Sequence, residues 1–352
     1  MKVAILNDTH LGVKNSSDIT LEYTRKFYED IFFPYLIKHN IKQILHLGDY
    51  FEHRKYVSYK ALEHNYNCFI SKLYEYDIHM DIIPGNHDVA YKNTNKLNSL
   101  QQILSKYEDR IHIHMQPIIK KYDELDIALI PWITSDNEKE CMDFISSAPA
   151  PILMGHLELG GFKLMANAPI KSHGLSKDMF NRYESVYSGH YHTKSAQGNI
   201  TYLGTQYELT WSDAGDPKYF HIIDTSTREL TPIQNTNVLF QKIYYDGDKP
   251  TPLIREKIEG TYIKVVVSNK KDLYEFDKFI ETLYDYNPYE VKIIEKFDEY
   301  TGENVDDASV DTVDTPTLLN SYIDATETNL DNDILKRMMN ELYVEAQSID
   351  SI

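Results

Sequence analysis

Asp8-Thr9-His10, Gly48-Asp49, Gly85-Asn86-His87-Asp88, Gly155-His156 and Gly189-His190-Tyr191-His192 each put a hard-metal ligand at or beside the end of a stretch that reads as a strand. Imidazole mixed with carboxylate and amide oxygen favours Mn, Fe or Zn over a pure Ca or Mg site. A phosphodiester is cleaved well when two divalent ions roughly 3.5–4 Å apart activate a water and stabilise the charged oxygens. Such a centre needs one carboxylate between the ions, and Asp49 is the natural bridge. Asp8, His10 and one histidine of the 190/192 pair can hold one ion; Asn86, His156 and the other histidine can hold the second. The i, i+2 spacing within Asp8/His10 and His190/His192 suits extended or loop backbone, where alternate side chains point the same way. His87 adjoins Asn86 and can reach a scissile phosphate. Its ordinary pKa lies near neutrality, which suits it to protonate a leaving oxygen. Asp88 would orient His87 or its loop. Isolated histidines such as His46, His112, His114 and His221 read as structural, and Gly-Asp or Gly-His pairs arise by chance. The inference rests on the motifs arriving in order, each after a strand.

Those motifs need a scaffold that gathers strand ends. Residues 1–235 alternate between strand-like and helix-like stretches, the pattern of an α/β layer fold. Strands are predicted at Lys2–Asn7, Gln43–Leu47, Met80–Ile83, Ile127–Ile130, Pro151–Met154, Ser185–Tyr187 and Tyr219–Ile223. Helices are predicted over 18–39, 58–76 (with Ser58 as N-cap) and 94–106. Ligand sites in open α/β sheets lie outside the carboxyl ends of the strands, which is where these motifs would converge.

Residues 236–297 read as a separate small unit, with strands at Tyr262–Val267 and Glu290–Ile294 flanking a helix over 272–285. Residues 298–315 carry acidic side chains without Lys or Arg from Asp298 to Asp314 and read as an acidic linker. Thr315-Pro316 then starts an amphipathic helical tail over 316–352, bearing Leu319, Tyr322, Ile323, Leu330, Ile334, Leu335, Met338 and Leu342. An apolar stripe of this kind fits a partner's hydrophobic groove, or packs on the chain's own core.

Composition narrows the rest. With 352 residues and 42% hydrophobic side chains the chain can bury a large core. No apolar run approaches the roughly 20 residues of a bilayer span, and the apolar start meets Asp8 too early for a signal peptide. Only Cys68 and Cys141 occur, so a disulfide framework is not expected and a reducing cytoplasm is, the host's if the chain is viral. A net charge of −18 argues against plain electrostatic adhesion to nucleic acid, although bound divalent ions, local basic patches or a basic partner can supply the attraction.

The array resembles the calcineurin-like metallophosphoesterase superfamily, with its D-x-H, G-D, G-N-H-D/E, H and G-H-x-H pattern. Within it, Asp8-Thr9-His10-Leu11-Gly12, Gly48-Asp49-Tyr50-Phe51 and Pro84-Gly85-Asn86-His87-Asp88 resemble the SbcD-type double-strand-break repair nucleases, phage recombination endonuclease subunits included. That resemblance implies a four-layer α/β-β/α sandwich with a small α+β capping domain and C-terminal helices. It implies one ion on Asp8, His10, Asp49 and His192, and another on Asp49, Asn86, His156 and His190. It further implies manganese (with Mg, Fe or Zn as other candidates), 3′→5′ exonuclease and single-strand endonuclease activity on DNA in recombination, repair and replication, and an SbcC-like ABC ATPase partner whose coiled coil receives the tail. A homodimer through helices within 58–76 and 94–106 would complete a heterotetramer. One departure stands out. The family often carries a histidine three residues after the bridging aspartate, where this chain has Glu52 followed by His53. Either His53 substitutes near the substrate through a shifted loop, or that supporting role is altered.

Three other functions fit the sequence less well. A phosphoprotein phosphatase would follow Gly-Asp with V-D-R-G, but Tyr50-Phe51-Glu52-His53-Arg54 displaces the arginine and lacks the glycine. A cyclic-nucleotide phosphodiesterase would need neither the capping unit nor the tail. A non-catalytic scaffold would not fill every expected ligand position. No G-x-x-x-x-G-K-[ST] loop is present, so ATP would act through the partner.

Overall fold

Val3 and Ile5 turn to one side of the first strand, Ala4 and Leu6 to the other, and all four are fully buried. A strand with both faces covered must lie inside a layered fold, and its alternation assigns each face to a different core. In the computed structural model, residues 1–163, 174–249 and 251–295 are described, together with Ile323, Asn332, Leu335, Lys336, Met338 and Met339. The chain divides into two compact units, Met1–Lys296 and Phe297–Ile352.

The first unit holds two six-stranded sheets. In one, Lys2–Leu6, Gln43–His46, His79–Ile82 and Ile111–Ile113 run parallel in that order, and Lys218–Asp224 and then Leu230–Asn235 extend the Lys2–Leu6 side antiparallel. In the other, Ile200–Tyr202, Ser185–Ser188, Ile152–Gly155 and Leu125–Ile130 are parallel neighbours. Ser195–Gln197 and Ile118–Tyr122 close its two edges antiparallel. Val3, Ile5, Leu45 and Leu47 meet Ile127, Leu129, Ile152 and Met154 between the sheets. On the outer face of the first sheet, Ala4, Leu6, Ile44 and Met80 pack on Phe27, Phe32, Leu36 and Phe69. On the outer face of the second, Ala128, Ile130, Leu153 and Val186 pack on Cys141 and Ile145 of the helix Glu138–Ser147. The result is helix, sheet, sheet, helix, a four-layer α/β-β/α sandwich. Burying a Leu, Ile or Phe side chain contributes about 1.5–3 kcal/mol, so this doubly covered core fixes which strands neighbour one another.

The first long helical stretch is α-helical over Asp18–Lys26 and Phe33–Lys38 and π-helical over Phe27–Phe32 between them. The second is α-helical over Tyr59–Asn65 and Ser71–Glu75 around a π-helical Tyr66–Ile70. Ser58 caps it, its hydroxyl accepting from Ala61 N at 3.1 Å. The helix predicted over 94–106 begins only at Ser99. Thr94–Asn98 is a strand paired with Val89–Tyr91, followed by a π-helical turn Leu100–Leu104 and a 3₁₀ turn Ser105–Tyr107. The side chains explain it. Asn95 Nδ2 donates to Trp132 O and Asn98 Nδ2 to Asn95 O, while Asn98 Oδ1 accepts from Gln101 N at 2.8 Å. These bonds give the backbone a competitor to the helix and start a turn only after Asn98.

Phe240–Asp246, Tyr262–Asn269 and Glu290–Glu295 form a third, wholly parallel sheet. The helix Leu273–Asp285 covers it, with Asp272 capping its first turn and Ile243, Ile263, Val265, Phe276 and Leu283 as a core. Glu208 ties this sheet to the larger layers by accepting from Leu239 N at 2.6 Å and Phe240 N at 2.9 Å. In the second unit the six described residues are helical, and Asn332 Nδ2 donates to Ile323 O at 3.3 Å. Residues 298–315 and the tail positions Leu319, Tyr322, Leu330, Ile334 and Leu342 lie outside the described residues. No helix among the described residues is long and apolar enough to cross a membrane.

Strand ends from both sheets approach so closely that some positions have no room for a side chain. A Cβ on Gly48, at φ +90°, would lie 2.5 Å from Gly85 N, and a Cβ on Gly85 would lie 2.2 Å from Asp49 Oδ1. Gly85→Ala is therefore expected to destabilise the protein by about 1–3 kcal/mol, the usual range for overpacking, and to displace Asp49. Urea unfolding with an unchanged midpoint would show that the loops have slack.

Candidate metal centre

Asp8, Asp49, Asn86, His156 and His190 each lie a few residues or fewer past a strand's carboxyl end, three from the first sheet and two from the second. The turns that bring them inward are forced. Asp8 (φ 49°), His10 (φ 43°), Asp49 (φ 53°) and His190 (φ 84°) are all left-handed, a region where Asp and His are tolerated better than most residues. Gly189 leaves space for the return, since a Cβ there would come within 2.8 Å of Asp8 Oδ2.

Three groups of ligand atoms result, each with its members within 4.8 Å of one another: Asp8, His10 and His192; His10, Asp49 and His87; and Asp49, His156 and His190. Asp49 is shared by two of them. Asn86 Oδ1 sits 3.0 Å from His156 Nε2, which adds an amide oxygen to the third group. Asp8, His10, Asp49, Asn86 and His156 are buried, whereas His87, His190 and His192 are partly exposed, so the centre opens on the side of these three.

The donor atoms fit divalent ions. His10 Nε2 makes no hydrogen bond yet faces Asp49 Oδ2 at 3.7 Å and Asp8 Oδ1 at 3.9 Å. Those separations are too long for hydrogen bonds and suit donors turned toward a common cation. His192 Nδ1 is likewise buried without a hydrogen-bond partner. His156 Nδ1 bonds Leu47 O at 2.8 Å and His87 Nδ1 bonds Glu52 O at 2.6 Å; each carbonyl accepts, which leaves the Nε2 edge of each ring for other work.

The charges agree. Burial alone would suppress Asp49's ionisation, but His156, His10 and His87 hold its carboxyl well below the usual range. Burial likewise disfavours charge on His10, yet contact with Glu52 and the fields of Asp49 and Asp8 raise it to about 9. His156 also rises to about 9, because Asp49 and Asp8 outweigh its burial. The neighbouring carboxylates thus favour protons on these two imidazoles, which a divalent cation would displace.

The surroundings hold this set in place. Asp88 accepts from Tyr50 N, Phe51 N and Gly85 N, clamping two loops rather than touching His87. Burial and the Asp49 charge push its carboxyl up to about 7. Asp8 is held by two contacts from His190 N (2.9 and 3.1 Å) and by Asn7 Nδ2 at 2.6 Å. Lys218 Nζ, buried between Asp213 and Asp216, donates to His192 O at 3.0 Å. Trp132 packs its ring 5.7 Å from His156 and 5.3 Å from His190. His46 bonds Thr9 Oγ1 and Gly48 N and joins none of the three groups. His53 also stands outside them. Its ring stacks on Tyr56 at 4.5 Å and lines a neighbouring cavity of about 530 Å³ with Arg54, Lys55, Tyr91 and Gln102. Sequence reasoning missed Asn7, Trp132 and Lys218, none of which carries a motif of its own.

Residues 1–194 match the family model described as Calcineurin-like phosphoesterase. Over 98% of this chain and 99% of the relative, the sequence is 31% identical to Exonuclease subunit 1 of Enterobacteria phage T4. It is 24% identical to the SbcD component of the nuclease SbcCD of Escherichia coli (strain K12), with 68% of each chain covered. A solved archaeal phosphodiesterase overlaps with a TM-score of 0.35 and 15% identity over 67% of this chain and 100% of that one, too loosely to add to these matches.

Divalent ions should stabilise the fold by mass action, by about 2.7 kcal/mol at a hundred times Kd. Thermal scans of chelated protein are expected to show Tm rising with added manganese. In Asp49→Ala that rise should nearly vanish; an undiminished rise would mean the ions bind elsewhere.

Proposed function

We propose a function from one premise: the chain belongs to the calcineurin-like phosphoesterase family. It is a metal-dependent phosphodiesterase of the nuclease kind. The finer reading is a manganese-dependent DNA nuclease, 3′→5′ exonuclease and single-strand endonuclease, serving as the nuclease subunit of an SbcCD-like complex with a coiled-coil ATPase in recombination and double-strand-break repair. The observation that carries it is the reach of the similarity to the phage exonuclease subunit. That similarity runs through 98% of the chain instead of stopping with the phosphoesterase core.

The charge pattern beside the centre supports a polyanionic substrate. In a chain with 54 acidic and 36 basic residues, 53–62 and 89–107 each carry three Lys or Arg and no Asp or Glu. Both segments border the cavity next to His53, which Tyr56 and Tyr91 line with exposed rings. Basic side chains hold phosphates and aromatic faces stack on bases, so this strip suits a single strand leading into the centre. His53 belongs to that strip in our reading.

In the centre, Asp8, His10, Asp49 and His192 would hold one ion, and Asp49, Asn86, His156 and His190 the other. The ions, when bound, supply an activated water and offset charge growing on the phosphate. His87, its Nδ1 fixed on Glu52 O, presents Nε2 to protonate the departing 3′ or 5′ oxygen. Asp88 keeps the loops of Asp49 and Asn86 in register. The cap at 236–297 would flank the substrate path, the acidic linker at 298–315 would give the tail reach, and 316–352 would dock on the ATPase. A homodimer in the host cytoplasm completes the proposal.

Labelled single- and double-stranded DNA with manganese, beside p-nitrophenyl phosphate and its bis ester, tests the reading. DNA and diester cleavage are expected; turnover of the monoester alone would overturn it in favour of a phosphatase. His87→Ala should keep its bound metal but lose about 10²–10⁴-fold in kcat. Because His87 lies within ligand distance of His10 and Asp49, metal content is measured with it, and lost metal would make it a ligand instead. Deleting 316–352 should leave single-strand cleavage intact while ending co-purification with the ATPase; retained co-purification would sink the tail's role.

A further inference from the structure

Glu52 occupies the position where the resemblance led us to expect a histidine, and it does two things there. Its carboxylate Oε2 lies 2.7 Å from His10 Nδ1, a close ion-pair contact without aligned hydrogen-bond geometry, while its backbone O receives His87 Nδ1 in a hydrogen bond at 2.6 Å. One residue thus meets the outer edge of a ligand imidazole and the outer edge of the proposed proton donor. Its place is well defined: Glu52 N bonds Leu11 O at 3.0 Å, and Leu11 pairs with Phe51 across the two loops. The carboxylate is three-quarters covered, with His10, His87 and His53 around it. Across the His10 ring, Nε2 faces Asp8 and Asp49.

We propose that Glu52 is a positioning residue for one metal site, its carboxylate set against the Nδ1 edge of His10 so that, with an ion bound, the ring keeps its proton on that side and offers Nε2 to the ion between Asp8 and Asp49. The arrangement is a carboxylate–histidine–metal relay, in which an outer carboxylate fixes the ring's orientation and makes its inner nitrogen a stronger donor. It gives the changed residue a function of its own, on the ligand side of the centre. His87 keeps its orientation from the backbone of residue 52, which any side chain there would supply. The inference rests on Asp8, His10 and Asp49 being ligands.

Calorimetric titration of chelated protein with manganese tests it without DNA or turnover. Wild type should show two binding events. Glu52→Gln, whose amide oxygen still accepts but carries no charge, should weaken one event about 10-fold. Glu52→Ala should weaken the same event about 100-fold, the range for outer-shell partners, and both should leave the other event unchanged. In zinc-loaded, ¹⁵N-histidine-labelled protein, the His10 Nδ1 proton signal should be sharp in wild type and lost by exchange in Glu52→Ala. Wild-type affinities in both variants would overturn the proposal. Equal weakening of both events with a lowered Tm of the metal-free protein would also overturn it, leaving Glu52 as loop support. Wild type that takes up no manganese would instead remove the ligand assignment beneath it, whereas failure to cut DNA would touch only the nuclease reading.

Discussion

A carboxylate sealed from water, Asp49, constrains everything near it. An ionised group in a low-dielectric interior persists only when donors and opposite charge surround it. Here His87 N reaches its Oδ1 at 2.7 Å, and the imidazoles of His156 and His10 stand 3.3 and 3.7 Å from Oδ2. Those three partners arrive from a turn after the first strand, a turn after the third strand of the same sheet, and a strand end of the opposite sheet. The two sheets must therefore stack in one register, because slipping either would strand the charge. Asp8, equally buried and bonded to His190 N, imposes the same condition from the other side.

The backbone bears the cost of this convergence. Asp8, His10, Asp49 and His190 sit in left-handed conformations that non-glycine residues avoid, at about 1–3 kcal/mol each by the usual scale for such strain. Strain of this kind survives only where the surroundings over-determine it. The surroundings here are a doubly covered sheet pair, an Asp88 clamp on three backbone N–H groups, and glycines at 48 and 85 whose absent side chains let the loops touch. The glycines that precede the ligands in sequence are packing devices. They carry no chemistry, yet the ligand atoms could not meet without them.

This separation explains what could be read from sequence. The layered α/β class was readable because each central strand is apolar on both faces, and strand ends are marked locally by Gly followed by a polar ligand. The ligand-type residues were readable for the same reason, one strand end at a time. The spacing put one histidine of the 190/192 pair on each ion without saying which, and packing sets His192 beside Asp8 and His10 and His190 beside Asp49 and His156. The left-handed φ at His190 turns the chain between them. The helix read over 94–106 starts five residues late because side chains of the Thr94–Asn98 run bond the backbone. Trp132 and Lys218 were invisible for a different reason. Their roles exist only after segments dozens of residues apart have packed, and they leave no periodic or local trace.

The same logic bears on how so acidic a chain can act on a phosphate polymer. Of the net charge of −18, −12 falls in residues 298–352 and −6 in residues 1–297, and its repulsion of DNA is screened by salt within about 10 Å at 0.1 M. Inside that distance the local pattern governs, and the acid-free segments 53–62 and 89–107 line the cavity next to His53. Glu52 sits at the boundary between the two regimes, its carboxylate turned inward onto His10 and its neighbours Arg54 and Lys55 in the basic strip. A free carboxylate at that point would face an incoming phosphate. Set against His10, that carboxylate instead serves the proposed metal site.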